Sequence, residues 1–138
     1  MSSFYNHPGL KFIAGPCLLE SYDHACEMVE RISSIMRVNS VPWIYKTSFD
    51  KANRTSHESP RGLGFDRSFY IFNDLKQKYP HLEILTDIHE AWQGDVIRAD
   101  ILQIPAFLCR QTDLLESVAK TNKTINVKKG QFLSPDEM

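Results

Sequence analysis

The chain has 138 residues, of which 42% are hydrophobic and 24% charged, with 16 basic residues against 17 acidic ones and a net charge of -1. This composition describes one soluble globular domain and excludes a disordered chain, a pair of domains or a closed (β/α)8 barrel, which needs ~250 residues. Near-neutrality also excludes a general nucleic-acid coat, so anion binding would have to come from a local basic cluster.

The longest apolar run, Phe12 to Leu19, falls well short of the ~18 residues that span a bilayer, and Met1 to Gly9 carries no secretory core. The three cysteines, Cys17, Cys26 and Cys109, lack zinc-finger spacing and read as reduced thiols of a cytoplasmic protein, each by default a small buried hydrophobe.

Lys11–Gly15 is predicted as a strand that stops at Gly15-Pro16. Ser21 then stands where a helix N-cap belongs, ahead of Ala25, Met28, Val29, Ile32, Ile35 and Met36 at helical spacing. Trp43–Thr47 is a second strand, and a long loop runs from Ser48 to Phe65. Asp66 is expected to cap a second helix with Phe69, Phe72 and Leu75 on one face, closed by Pro80. Glu83–Asp87 is a third strand, and Glu90–Arg98 a short helix weakened by Gly94. Ile101–Ile104 is a fourth strand stopped by Pro105. Thr112 is expected to cap a helix bearing Leu114, Leu115, Val118 and Ala119, and Thr124–Lys128 is a fifth strand. Ser134-Pro135-Asp136-Glu137 has the form of a helix start, with N-cap, Pro at N1 and two acids. The expectation is an N-terminal piece of a larger α/β protein; the alternative is a frayed terminal turn.

Strands that alternate with helices imply right-handed βαβ units and a parallel sheet, hence an α/β fold. No internal repeat or interdomain linker interrupts the pattern. In such barrels the chemistry gathers at the C-terminal strand ends. Those ends here supply Cys17, Lys46, Lys51, Asn53, Arg54, Asp87, His89, Gln103, Arg110, Lys128 and Lys129. One rim would then hold Lys46, Lys51, Arg54, Lys128 and Arg110, and its natural ligands are phosphates or carboxylates. The plainer alternative is a set of solvated loop starts. Against it, adjacent lysines at a strand end alternate faces, so one of Lys128 and Lys129 points inward, which is costly without an anion. His89-Glu90 lacks the second histidine of a zinc motif and reads as a hydrogen-bonded rim histidine. Cys17 could be a nucleophile, a metal ligand or plain packing. There is no P-loop, and Gly62-Leu63-Gly64 does not make a dinucleotide site.

Ala14-Gly15-Pro16-Cys17 with Glu20-Ser21 resembles the opening motif of synthases that condense phosphoenolpyruvate with a sugar phosphate. The runs Tyr45-Lys46-Thr47-Ser48-Phe49-Asp50-Lys51-Ala52-Asn53-Arg54-Thr55-Ser56, Thr86-Asp87-Ile88-His89-Glu90, Leu102 to Asp113 and Asn126 to Phe132 resemble one branch of them. That branch makes 3-deoxy-D-manno-octulosonate 8-phosphate. The sister branch, which makes 3-deoxy-D-arabino-heptulosonate 7-phosphate, usually carries Lys-Pro-Arg-Thr where this chain has Lys51-Ala52-Asn53-Arg54-Thr55.

The resemblance implies a (β/α)8 barrel of which residues 1–138 are a single incomplete domain, about half of the whole. It implies a homotetramer in the cytoplasm that acts on small phosphorylated substrates, with no nucleic acid or membrane partner. Phosphoenolpyruvate, D-arabinose 5-phosphate and water would give the octulosonate phosphate and inorganic phosphate, for lipopolysaccharide or pectin synthesis. Carried over by motif position, Lys46, Lys51, Gln103, Ala106 and Lys128 would line the phosphoenolpyruvate site. Asn53, Arg54, Thr55 and Arg110 would hold arabinose 5-phosphate, with Arg110 reaching a neighbouring subunit. Lys51, Asp87 and His89 would stand at the reacting carbons. A cysteine at position 17 implies the metal-dependent class, in which Cys17 and a later His, Glu and Asp bind zinc, iron or manganese. None is expected to be held tightly by residues 1–138 alone. The rival reading is a non-catalytic half-barrel that binds anions or a complementary chain.

Overall fold

A computed structural model describes residues 3–138 of the chain. Five strands form: β1 (Phe12–Ala14), β2 (Trp43–Lys46), β3 (Ile84–Asp87), β4 (Ile101–Ile104) and β5 (Thr124–Val127). They make one sheet in the order β1-β2-β3-β4-β5, and every neighbouring pair is parallel. The helices are α1 (Ser3–Asn6), α2 (Tyr22–Val38), α3 (Phe65–Lys78), α4 (Gln93–Val96) and α5 (Thr112–Ala119). A doubly wound sheet reverses its strand order at a switch point, and this one never does. Each right-handed crossover therefore steps the same way, the arrangement of a partial (β/α)8 barrel.

The strand alternation sorts side chains onto two faces. Tyr45, Ile84, Leu102 and Ile104 pack outward against Ala25, Val29, Phe72, Leu75, Leu114 and Val118 in the main core. Ile44, Leu85 and Ile101 form a smaller inner cluster, and Phe4 packs against it. Phe4 belongs to α1, a short helix in a stretch for which the sequence pattern predicts no element.

Ser21 is the N-cap of α2 as expected, its side chain accepting the His24 N–H at 3.1 Å. The two other caps differ from expectation. Gly64, not Asp66, starts α3, at φ 77, and makes no side-chain cap. Its N–H donates to the Phe49 carbonyl at 3.1 Å, so a tertiary bond sets the start and Asp66 is left in the first turn. At α5 the cap is Gln111, and Thr112 is already helical. The helix expected over Glu90–Arg98 contracts to Gln93–Val96, because Ile97 turns extended at ψ 134. The Gln93 side chain also accepts the N–H groups of His89 and Glu90, at 2.7 and 3.1 Å, and folds the preceding turn around itself. Ser134 and Glu137 form a reciprocal capping box on one 3-10 turn, Pro135–Glu137. No helix among the described residues is long and apolar enough to cross a membrane.

Candidate active site

The inner face has an apolar floor and a polar upper tier. Above Ile44, Leu85 and Ile101 stand Lys46, Asp87, Gln103 and Asn126; in the register Asp87 lies opposite Gln103, and Gln103 opposite Asn126. The backbone ladder runs on past the strands through Leu19 N–H to Ser48 O, Thr47 N–H to Leu85 O and Lys128 N–H to Ile104 O. These bonds draw the following loops into a pocket of about 260 Å³. Cys17, Lys46, Asp50, Lys51, Asn53, Asp87, His89, Gln103, Ala106 and Lys128 all line it.

Asp87 is its hub. Ser48 Oγ donates to Asp87 Oδ2 at 2.7 Å, and Gln103 Nε2 donates to Oδ1. Lys46 Nζ lies 3.8 Å from Oδ1, and Lys51 Nζ lies 3.6 Å from Oδ2. The same Ser48 oxygen accepts from Lys51 at 2.8 Å and from Lys46 at 3.3 Å. One carboxylate thus faces two partly buried ammonium groups, with Lys128 on the same pocket wall. The uncompensated charge is positive, which suits an anion. Burial pushes the Lys46 pKa down, and Lys51 and Lys128 push it further, against the opposing pull of Asp87 and Cys17.

Asp50 forms a bidentate pair with Arg61 and lies near His89. Burial alone would raise its pKa; the Arg61 hydrogen bonds and charge outweigh this and hold the carboxyl below its usual range. Burial pushes the His89 pKa down, against the pull of Asp50 and Asp87. The His89 ring sits edge-on to Phe49 at 5.7 Å and stacks on Phe107 at 6.4 Å. Its Nδ1 is buried without a hydrogen-bond partner, so aromatic packing and not the expected hydrogen bond fixes the ring.

The structure does not bring every expected residue into the pocket. Arg54, Thr55 and Arg110 are exposed and outside its lining, and Arg54 Nε donates to the Pro60 carbonyl at 3.2 Å. Of the lysine pair, Lys128 lines the pocket while Lys129 turns away to the carbonyls of Gly130 and Leu133. Only Cys26 is buried as expected of all three cysteines; Cys109 is half-buried and Cys17 exposed. Sequence reading missed Ser48, Asp50 and Asn126. Ser48 was within reach, since it continues the two-residue alternation of Ile44 and Lys46 onto the inner face.

A larger cleft of about 460 Å³ lies near the start of β4, lined by Lys76, Asp95, Arg98, Asp100 and Lys123. Its lysines are already satisfied. Lys76 pairs with Asp100 at 2.9 Å, and Lys123 donates to the carbonyls of Gly94 and Ile97. The smaller pocket gathers three lysines, Lys46, Lys51 and Lys128, on its lining.

A model of the DAHP synthetase I family matches residues 6–138. The chain belongs to that family. Among curated relatives, a protein of Bartonella henselae named 2-dehydro-3-deoxyphosphooctonate aldolase is 52% identical over 98% of this chain and 49% of its own length. Proteins of the same name from Chelativorans sp. and Brucella ovis are 51% and 49% identical, over 98% and 99% of this chain. The chain spans about half the length of these DAHP synthetase I relatives.

Proposed function

We propose that this chain supplies the phosphoenolpyruvate-gripping half of an enzyme that makes 3-deoxy-D-manno-octulosonate 8-phosphate. The observation that carries the reading is the partly buried pair Lys46 and Lys51, bridged by Ser48 and lining the pocket beside Lys128. The name of the relatives, 2-dehydro-3-deoxyphosphooctonate aldolase, supports reading the anion as phosphoenolpyruvate.

In this reading Lys46, Lys51, Gln103, Ala106 and Lys128 hold phosphoenolpyruvate. C3 of the enol attacks the aldehyde carbon of arabinose 5-phosphate, and its π electrons form the new C–C bond. Water adds at C2 and loses a proton, the aldehyde oxygen gains one, and the C2–O bond to phosphate breaks to release inorganic phosphate. The lysines face the charge that develops at the phosphate and carboxylate without having to reorganise, the most effective form of such stabilisation. Asp87 keeps both ammonium groups in place, and His89 stands on the same wall. Asn53, Arg54, Thr55 and Arg110 would hold the sugar phosphate, Arg110 from a neighbouring subunit of a homotetramer. Both arginines are exposed, and Arg54 is held by one hydrogen bond to the Pro60 carbonyl.

Cys17 could offer one thiolate to a divalent ion, but no three His, Cys, Asp or Glu side chains come together as a metal site among the described residues. Tight transition-metal sites need three or four protein ligands. Cys17 would be one donor of such a site.

The test is a phosphate-release assay on the full-length protein with phosphoenolpyruvate and either arabinose 5-phosphate or erythrose 4-phosphate. The five-carbon sugar is expected to be the better acceptor. Preference for the four-carbon sugar would move the protein to the heptulosonate branch, and no release with either would sink the reading.

A further inference from the structure

Asn126 lies on the inner face beside the pocket but is not part of its lining. Its Nδ2 donates to Gln103 Oε1 at 2.9 Å. Gln103 in turn gives its Nε2 to Asp87, and Asp87 meets Ser48, Lys46 and Lys51. Donor and acceptor types fix the direction of this row. An ionised carboxylate only accepts, so Gln103 must face Asp87 with its nitrogen. Its oxygen then points at β5, where only a donor can satisfy it. Gln103 is 5% exposed, so bulk water is a poor substitute. Asn126 is placed opposite it in the register and presents that donor.

Without that donor the Gln103 oxygen is left buried and unpaired, and only the bond to Asp87 opposes a turn of the amide towards a new donor. A flipped amide would set its oxygen against the Asp87 carboxylate, acceptor against acceptor. Asp87 would then shift, and the two ammonium groups that it holds would shift with it.

We propose that Asn126 is a positioning residue of the anion site: through the Gln103 amide it holds Asp87, and so Lys46 and Lys51, in the arrangement that receives phosphoenolpyruvate. This rests on the reading of the pocket as the phosphoenolpyruvate site. The hydrogen bond of Asn126 runs to Gln103, so its effect belongs to the phosphoenolpyruvate side of the pocket.

Asn126→Asp in the full-length protein is the sharp test, because it keeps the shape and removes the donor. A residue that only fills space tolerates it. The expected result is a folded variant whose KM and directly measured Kd for phosphoenolpyruvate rise at least about tenfold, the scale of one buried hydrogen bond lost. The KM for arabinose 5-phosphate stays within about twofold, as a group acting on one site requires. Equal KM changes for both substrates, or a phosphoenolpyruvate Kd that does not move, would overturn the proposal. A new carboxylate by itself repels an anion, so Asn126→Ala, which removes the same donor without adding charge, is measured beside it and read against the same two outcomes. If the unaltered protein neither binds nor consumes phosphoenolpyruvate, the functional reading fails instead. A neutron structure of the variant, which shows the amide hydrogens, then decides this inference alone: Gln103 Nε2 turned off Asp87 upholds it, and Nε2 still on Asp87 overturns it.

Discussion

Lys46 shows how one residue can be tuned by its place at a strand end. Its ammonium is partly desolvated and faces two other cations, so its proton is held less firmly than that of an ordinary lysine near 10.5. The charged form is present below the folded pKa and is lost as pH rises through it. Anion affinity should therefore fall at a lower pH than an ordinary lysine would allow. Phosphoenolpyruvate affinity followed from neutral to alkaline pH should show that early loss. In Lys46→Arg the decline should move to higher pH, since guanidinium stays charged; an unchanged profile would mean that Lys46 does not meet the anion. Ser48 is a second case. It is fully buried and joins both lysines to Asp87. Ser48→Ala leaves those charged partners short of one bond, at a cost of about 1–3 kcal/mol, to be read from denaturant midpoints. A shift below a few tenths would show water in its place. The cations Lys46, Lys51 and Lys128 were legible because strand ends collect at one rim and the spacing names those ends. Asp50 was not, because a short polar residue after a strand looks like any loop, and Ser48 showed only in its alternation with Ile44 and Lys46. Their roles come from partners distant in sequence, Asp87 and Arg61.

Elements are positioned by backbone contacts that residue type announces poorly. The loop after β2 is pinned by Lys51 N–H to the Arg61 carbonyl at 2.8 Å and by Gly64 N–H to Phe49. Gly62 sits at φ 116 against the Phe49 carbonyl, a place open only to glycine. Periodicity exposed the strands and the long helices, since an apolar face recurs at fixed spacing. It missed α1, which has four residues, too few to repeat. It also misplaced the starts of α3 and α5, whose caps make no side-chain bond that a capping residue would reveal. Gly15 was read as a strand stop, but its tighter constraint is the neighbouring strand: a Cβ there would collide with the Lys46 carbonyl. Backbone cannot step aside as a flexible side chain can. Gly15→Ala should therefore push β1 from β2 and cost more than ~1 kcal/mol. It should also disturb Lys46, so phosphoenolpyruvate affinity should drop along with stability. Loss of stability with affinity intact would place the strain away from the pocket.

At the scale of the whole molecule, a sheet of parallel strands is described with two open sides. β1 pairs only with β2, and β5 only with β4. Phe12, Ile13 and Val127 on those outer strands are 43%, 46% and 40% exposed. A closed barrel has no such edges, and parallel sheets are normally covered on both faces. Here the inner floor of Ile44, Leu85 and Ile101 has Phe4 as its partly buried cover. An open ladder of N–H and C=O groups flanked by apolar side chains is a template for further strands. The 138-residue chain produced alone is therefore expected to self-associate. In sedimentation velocity its mean mass should rise with concentration, and its unfolding should be broad and concentration-dependent. High salt should not dissolve the association, because apolar side chains and backbone bonds hold it and the net charge is only -1. Removing residues 1–6 uncovers the floor and should strengthen both association and the binding of an apolar dye. A clean monomer with one sharp, concentration-independent transition would show that these edges are protected by the chain's own turns.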